Sequence, residues 1–172
     1  MVSRVLLAIV VALLCSPNLA GAQVEVGDPF PEWTLVDQGR NTIASTSYNG
    51  RKYLIWICPN AMSPSCTAEG RSFRDHLKAL QIAEVEVFGV TFDEPETNAF
   101  FASAEGIGYP LLSDAERSFA VAVGAAESPQ QSTIAPISFL VGADGRVAKI
   151  YENLEPVRHA QDVLLGLGVL VP

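Results

Sequence analysis

The segment ICPNAMSPSC, residues 57–66, places Cys58 and Cys66 eight positions apart, with Pro59, Ser63 and Pro64 between them. Two thiols so spaced are open to metal ligation, a bridge, redox chemistry or simple packing. Beyond the loop, apolar or small side chains recur at Cys66, Gly70, Phe73, Leu77 and Leu80, one face of an amphipathic helix. Cys66 is therefore expected in a first helical turn, where unpaired backbone N–H groups and the helix dipole favour an anion. A thiolate there has a lowered pKa and is reactive near neutral pH. Ser63 can offer its hydroxyl to the same sulfur or to an oxygen approaching it, while Pro59 and Pro64 restrict the loop and remove two competing donors. The plainer alternative is that Cys66 is one more buried small side chain. Cys58 ends an apolar run and is expected to pack. Cys58, Met62, Cys66 and His76 could in principle hold a soft ion such as copper. The cysteine spacing matches no compact zinc pattern, however, and neither His76 nor His159 has a partner at zinc-finger spacing. No metal or cofactor is expected, and both histidines read as solvated helix residues.

The elements that must position this loop follow from periodicity. Residues 53–58 (YLIWIC) form a continuous apolar run, as expected of a strand covered on both faces, and 85–92 (VEVFGVTF) read as a second apolar strand. Residues 33–36 and 42–45, separated by DQGRN, predict an antiparallel hairpin. Glu94, Pro95 and Glu96 open a helix reaching about residue 104; residues 110–114 form a short extended segment ending at a possible cap, Asp114, with a small helix near 115–121. Residues 137–141 and 147–151 around GADG predict another hairpin, and 156–167 a last helix. Residues 125–134 lack periodicity and read as a loop. Strands and helices alternating between hairpins imply an α/β domain, a mixed sheet between helices.

The chain has 172 residues, 49% of them hydrophobic, which fits one domain with its own core. The first 22 residues stand apart: Arg4, an apolar run from Val5 to Cys15, then the small-residue end at Ala20, Gly21 and Ala22. This is the anatomy of a secretory signal cleaved after Ala22, since a run of about eleven apolar residues is short for a membrane span of about twenty. The mature domain, residues 23–172, is then expected to be secreted or periplasmic, without stable membrane association. It keeps 10 basic against 19 acidic side chains, a net charge of −9, which repels nucleic acid and anionic lipid alike. Its two cysteines are too few for a disulfide scaffold and enough for one bridge or one redox site.

At these residues the sequence resembles the peroxiredoxins, above all the bacterioferritin-comigratory and alkyl-hydroperoxide-reductase group with its Pro-x-x-x-Thr/Ser-x-x-Cys motif. Pro59, Ser63 and Cys66 fill every specified position, Thr67 and Glu69 match the Cys-Thr-x-Glu continuation, and residues 73–75 match Phe-Arg-Asp. Similar segments follow in order at 27–35, 89–93, 109–114 and 138–145. The resemblance implies a thioredoxin-like, three-layer fold, with a central mixed sheet flanked by helices and an N-terminal β-hairpin. It implies reduction of hydroperoxides: Cys66 attacks the O–O bond and becomes a sulfenic acid, which another thiol reduces. By position Ser63 would hydrogen-bond peroxide and thiolate, Pro59 would shield the site and Glu69 would help order it.

Two positions depart from that pattern. The family's arginine precedes the strand that here reads SFL, where this chain has Ile134, Ala135, Pro136 and Ile137; Arg71 stands where some relatives carry a resolving cysteine. Cys58 at a strand end would reach Cys66 only if the first helical turn unwound. The expected cycle therefore uses one cysteine and an external reductant, a thioredoxin-like protein or a low-molecular-weight thiol, in a monomer or homodimer. Two alternatives remain. Pro136 resembles the cis-proline of thiol-disulfide exchange proteins, and the missing arginine suggests a non-enzymatic domain with a weakened site.

Overall fold

The computed structural model describes residues 23–153 and 155–170, so the expected signal lies outside the described residues. The strands are β1 (Thr34–Asp37), β2 (Thr42–Ala44), β3 (Lys52–Ile57), β4 (Val85–Thr91), β5 (Leu111–Ser113), β6 (Ile137–Val141) and β7 (Val147–Glu152). They form one sheet in the order β2-β1-β5-β4-β3-β6-β7. β3, β4 and β5 run parallel, and every other pairing is antiparallel. The helices are α1 (Pro64–Ile82), α2 (Pro95–Glu105), α3 (Ser118–Ala122) and α4 (His159–Gly166). Among the described residues, no helix is long and apolar enough to cross a membrane.

β3 is apolar without alternation because both of its faces are covered. Leu54, Trp56 and, just past the strand, Cys58 pack with residues of α1, α2 and α4. Tyr53, Ile55 and Ile57 pack on the opposite face with Phe30, Trp33 and Phe119. These are the three layers of a thioredoxin-like fold. Registers align Leu111, Gly89, Trp56, Ser138 and Tyr151 in one row across the sheet. A Cβ on Gly89 would stand 2.7 Å from both Trp56 Cζ2 and Leu111 Cδ2, so the absence of a side chain there makes room for the indole. Trp56 in turn stacks on Phe73 of α1, ring centroids 6.0 Å apart.

Two helices start later than periodicity predicts. Residues 115–117 form a turn with Arg117 at φ 57°, so α3 begins at Ser118. Asp114 still serves it: Oδ1 accepts from the Phe119 N–H at 3.1 Å and Oδ2 from the Ala120 N–H at 2.8 Å. Residues 156–158 likewise form a turn before α4.

Candidate active site

Cys66 sits three residues inside α1, with Ser63 as N-cap and Pro64 in the first turn. The cap is local chemistry: extended backbone at Ser63 lets its Oγ accept from the Cys66 N–H at 3.3 Å, and proline loses nothing where no helical partner exists for its nitrogen. The loop before it is pinned at several points. The Cys58 N–H donates to the Val90 carbonyl at 2.9 Å, and the Ala61 N–H donates to Asp93 Oδ2 at 2.8 Å. The Asp93 segment is itself held by Ser113 Oγ, which donates to the Asp93 carbonyl at 2.6 Å. Pro59 is half-buried over this arrangement, whereas Asn60 and Met62 face solvent.

The pairing of the cysteines corrects the expectation. Cys58 and Cys66 form a disulfide with Cα atoms 5.9 Å apart, inside the ordinary range for such bridges. The first turn of α1 is intact around it, cap included. No unwinding is needed because the chain leaves β3 at Cys58 and folds straight back, so the N-terminal turn of α1 lies directly over the strand end. Both residues are sealed from solvent, at 1% and 0% exposure.

One turn beyond Cys66, Glu69 is buried and its Oε1 lies 2.7 Å from Nδ1 of His159 on α4. The expectation of a solvated His159 is thus wrong: it is fully buried, edge-on to Phe73 and tilted against Tyr151. Burial pushes the Glu69 carboxyl above its ordinary value, while the hydrogen bond and charge of His159 pull it back. Burial also raises Tyr109 well above the usual phenol range, helped by the Glu69 charge, and its hydroxyl donates to the Gly70 carbonyl at 3.1 Å. Glu69 Oε2, His159 Nε2, Tyr151 Oη, Trp56 Nε1 and Ser138 Oγ find no partner among the described residues. A polar seam therefore runs beneath the bridge, inside an otherwise apolar layer.

The arginines that follow Cys66 on α1 are committed to partners other than the sulfur. Pro136 precedes Ile137, which pairs with Ile57, so it stands beside Cys58 at the strand ends. Arg71 and Arg74 do not replace a guanidinium there. Arg71 binds the Glu105 carboxylate at the end of α2, and Arg74 bonds its α1 neighbour Asp75 and the Glu105 carbonyl. Among the described residues every peptide bond is trans, including the one before Pro136, unlike the cis-proline arrangement of exchange proteins. The copper donor set is not assembled either. The two sulfurs bond each other, and His76 Nδ1 lies 2.8 Å from the Ser72 carbonyl of its own helix.

The structure places Ser63, Cys66 and Glu69 in the first turns of α1, with Pro59 in the loop before it, and brings Cys58, His159 and Asp93 beside them. No sequence periodicity marked His159, because α4 is adjacent to α1 only in space. Asp93 carried a signal, ending the family-like segment 89–93 just past an apolar strand.

Comparison with known proteins bears on the family and the fold. Residues 26–150 match the model of the AhpC/TSA family. Peroxiredoxin Bcp of Escherichia coli is 32% identical over 148 residues, covering 83% of this chain and 94% of that protein. Among solved structures, peroxidoxin BcpB of Mycobacterium tuberculosis superposes with a TM-score of 0.79 at 24% identity, over 87% of this chain and 100% of the other. Peroxiredoxin Q of Xanthomonas campestris gives 0.73 at 23%, over 84% and 95%. These two structural likenesses speak for the fold.

Proposed function

This chain belongs to the AhpC/TSA family of peroxiredoxins, thiol-dependent peroxidases that reduce hydroperoxides, and from that membership we propose that Cys66 is its peroxidatic nucleophile. The observation that carries the reading is the place of Cys66: third residue of a helix capped by Ser63, in a loop held by Pro59 and the Asp93 contact. In the reduced enzyme the helix N-terminus stabilises the thiolate, and the Ser63 hydroxyl, whose oxygen accepts the 3.3 Å cap bond, keeps its proton to donate to a peroxide oxygen. Attack on the terminal oxygen breaks the O–O bond, leaves Cys66 as a sulfenic acid and releases the alcohol or water. Pro59 limits water at the sulfur, and Glu69 with His159 fixes the helix face that carries it. Loss of one charged donor lowers such rates by about 10²-fold, so the enzyme is expected to be slower than an arginine-bearing relative and still faster than a free thiol.

Stopped-flow oxidation of the reduced protein by hydrogen peroxide, followed through tryptophan fluorescence, tests this. Cys66 should react well above the rate of free cysteine, and Cys66→Ser should abolish the signal. A rate equal to free cysteine would leave a non-enzymatic domain on this fold.

Export is part of the same reading, supported by the apolar run and small-residue end of residues 1–22. Fractionation of cells expressing the tagged full chain should place the shortened protein outside the cytoplasm; full-length protein retained inside overturns it. Hydroperoxide and an external thiol reductant are the partners this cycle requires.

A further inference from the structure

The geometry points to Cys58 as the resolving thiol of the reaction, closing an intramolecular disulfide onto Cys66 without unfolding α1. This rests on the peroxidatic reading of Cys66 and extends it to the second half of the cycle. Three observations carry it. The Cα atoms are 5.9 Å apart in the folded chain, so the two sulfurs meet with the Ser63 cap and the first helical turn in place. Cys66 is wholly buried and Cys58 nearly so, and a thiol already inside the site outcompetes one that must displace the loop. The position five residues after Cys66 is filled by Arg71, tied to Glu105, and the third cysteine of the chain, Cys15, lies in residues 1–22.

The step balances as follows. The Cys58 thiolate attacks the sulfur of the Cys66 sulfenic acid, an S–S bond forms, the S–O bond breaks, and hydroxide leaves as water with the proton lost by Cys58. Two electrons have then passed from the thiol pair to the peroxide. An external dithiol returns them: one of its thiols attacks the bridge to give a mixed disulfide, and its second thiol releases the reduced enzyme. The reductant of this cycle thus meets a disulfide rather than a sulfenic acid. Burial of the bridge further requires that residues 59–63 lift before it can act.

The test compares the mature chain with Cys58→Ser and Cys58→Ala after one equivalent of hydrogen peroxide, followed by dimedone and an alkylating agent, with peptide mass spectrometry. The unaltered protein should lose both alkylatable thiols within one chain, at a rate independent of protein concentration, and take up no dimedone. Both variants should carry dimedone on Cys66. A lasting Cys66 sulfenic acid with Cys58 still alkylatable in the unaltered chain overturns the resolving role alone, as does a bridge between two chains. Cys66 inert to peroxide in the unaltered chain and both variants overturns the peroxidatic reading and this role with it, leaving the bridge structural.

Discussion

Oε1 of Glu69 and Nδ1 of His159 meet at 2.7 Å with both side chains sealed from solvent. Because burial raises the carboxyl above its ordinary 4.5, the folded state holds that proton more tightly than the unfolded chain. The stability this group contributes is complete below the ordinary glutamate value and is lost as pH rises through the raised one. Thermal melts of the unaltered protein and of Glu69→Gln should therefore differ most in favour of the former in acid, the advantage shrinking toward neutrality. An advantage that grows with pH would refute the direction. Glu69→Ala should lose about 1–3 kcal/mol, since it leaves the buried His159 ring nitrogen without its hydrogen-bond partner.

A second prediction concerns the floor of the site. A methyl group at Gly89 meets Trp56 and Leu111 at 2.7 Å, and neither has slack: Trp56 is clamped by Phe73 and Leu111 is fully buried. Gly89→Ala should lower stability by about 1–3 kcal/mol as an overpacked core. Urea denaturation would register this as a lower midpoint at unchanged slope; an unshifted midpoint would show that the indole can move.

The strands and the capped helix were legible because their signals are local. The continuous apolar run at residues 53–58 marks a strand covered on both faces, the largely apolar 85–92 marks a second strand, and Ser63 with Pro64 before a helical face marks a helix start. Ser63, Cys66 and Glu69 follow from that start, since the first turns of one helix fix their mutual placement. What failed depended on approach between elements. Cys58 looked like strand packing because its distance to α1 depends on how sharply residues 59–63 reverse the chain. His159 looked solvated because nothing in residues 156–167 encodes the buried carboxylate that faces it from α1. The late starts of α3 and α4 reflect single turns inserted ahead of each helix, a scale below periodicity.

Charge at the sulfur gives the third prediction. Pro136 stands beside Cys58 where β3 and β6 end, half-exposed, and Arg71 and Arg74 of α1 are tied to the end of α2. Pro136→Arg should raise the rate of Cys66 oxidation by hydrogen peroxide by about 10-fold to 10²-fold, through a guanidinium facing charge that develops on the peroxide. A steeper salt dependence of that rate should accompany it. An unchanged rate in a folded variant would mean that the strand ends do not aim this position at the sulfur.

The last prediction follows from the covering loop. Asp93 holds residues 59–63 down through the Ala61 N–H, and the bridge beneath is almost wholly buried, so its reduction waits on opening of the loop. Removing the carboxylate in Asp93→Ala weakens the closed state by about 1–1.5 kcal/mol, the net worth of one such bond. Opening becomes up to about tenfold more frequent, because about 1.4 kcal/mol is a factor of ten. Reduction of the oxidised enzyme by dithiothreitol, followed through tryptophan fluorescence, should accelerate by that factor, while the reduction of a small-molecule disulfide in the same solution stays the same. Equal rates in the variant and the unaltered protein would show that the bridge is reached by a path this loop does not control.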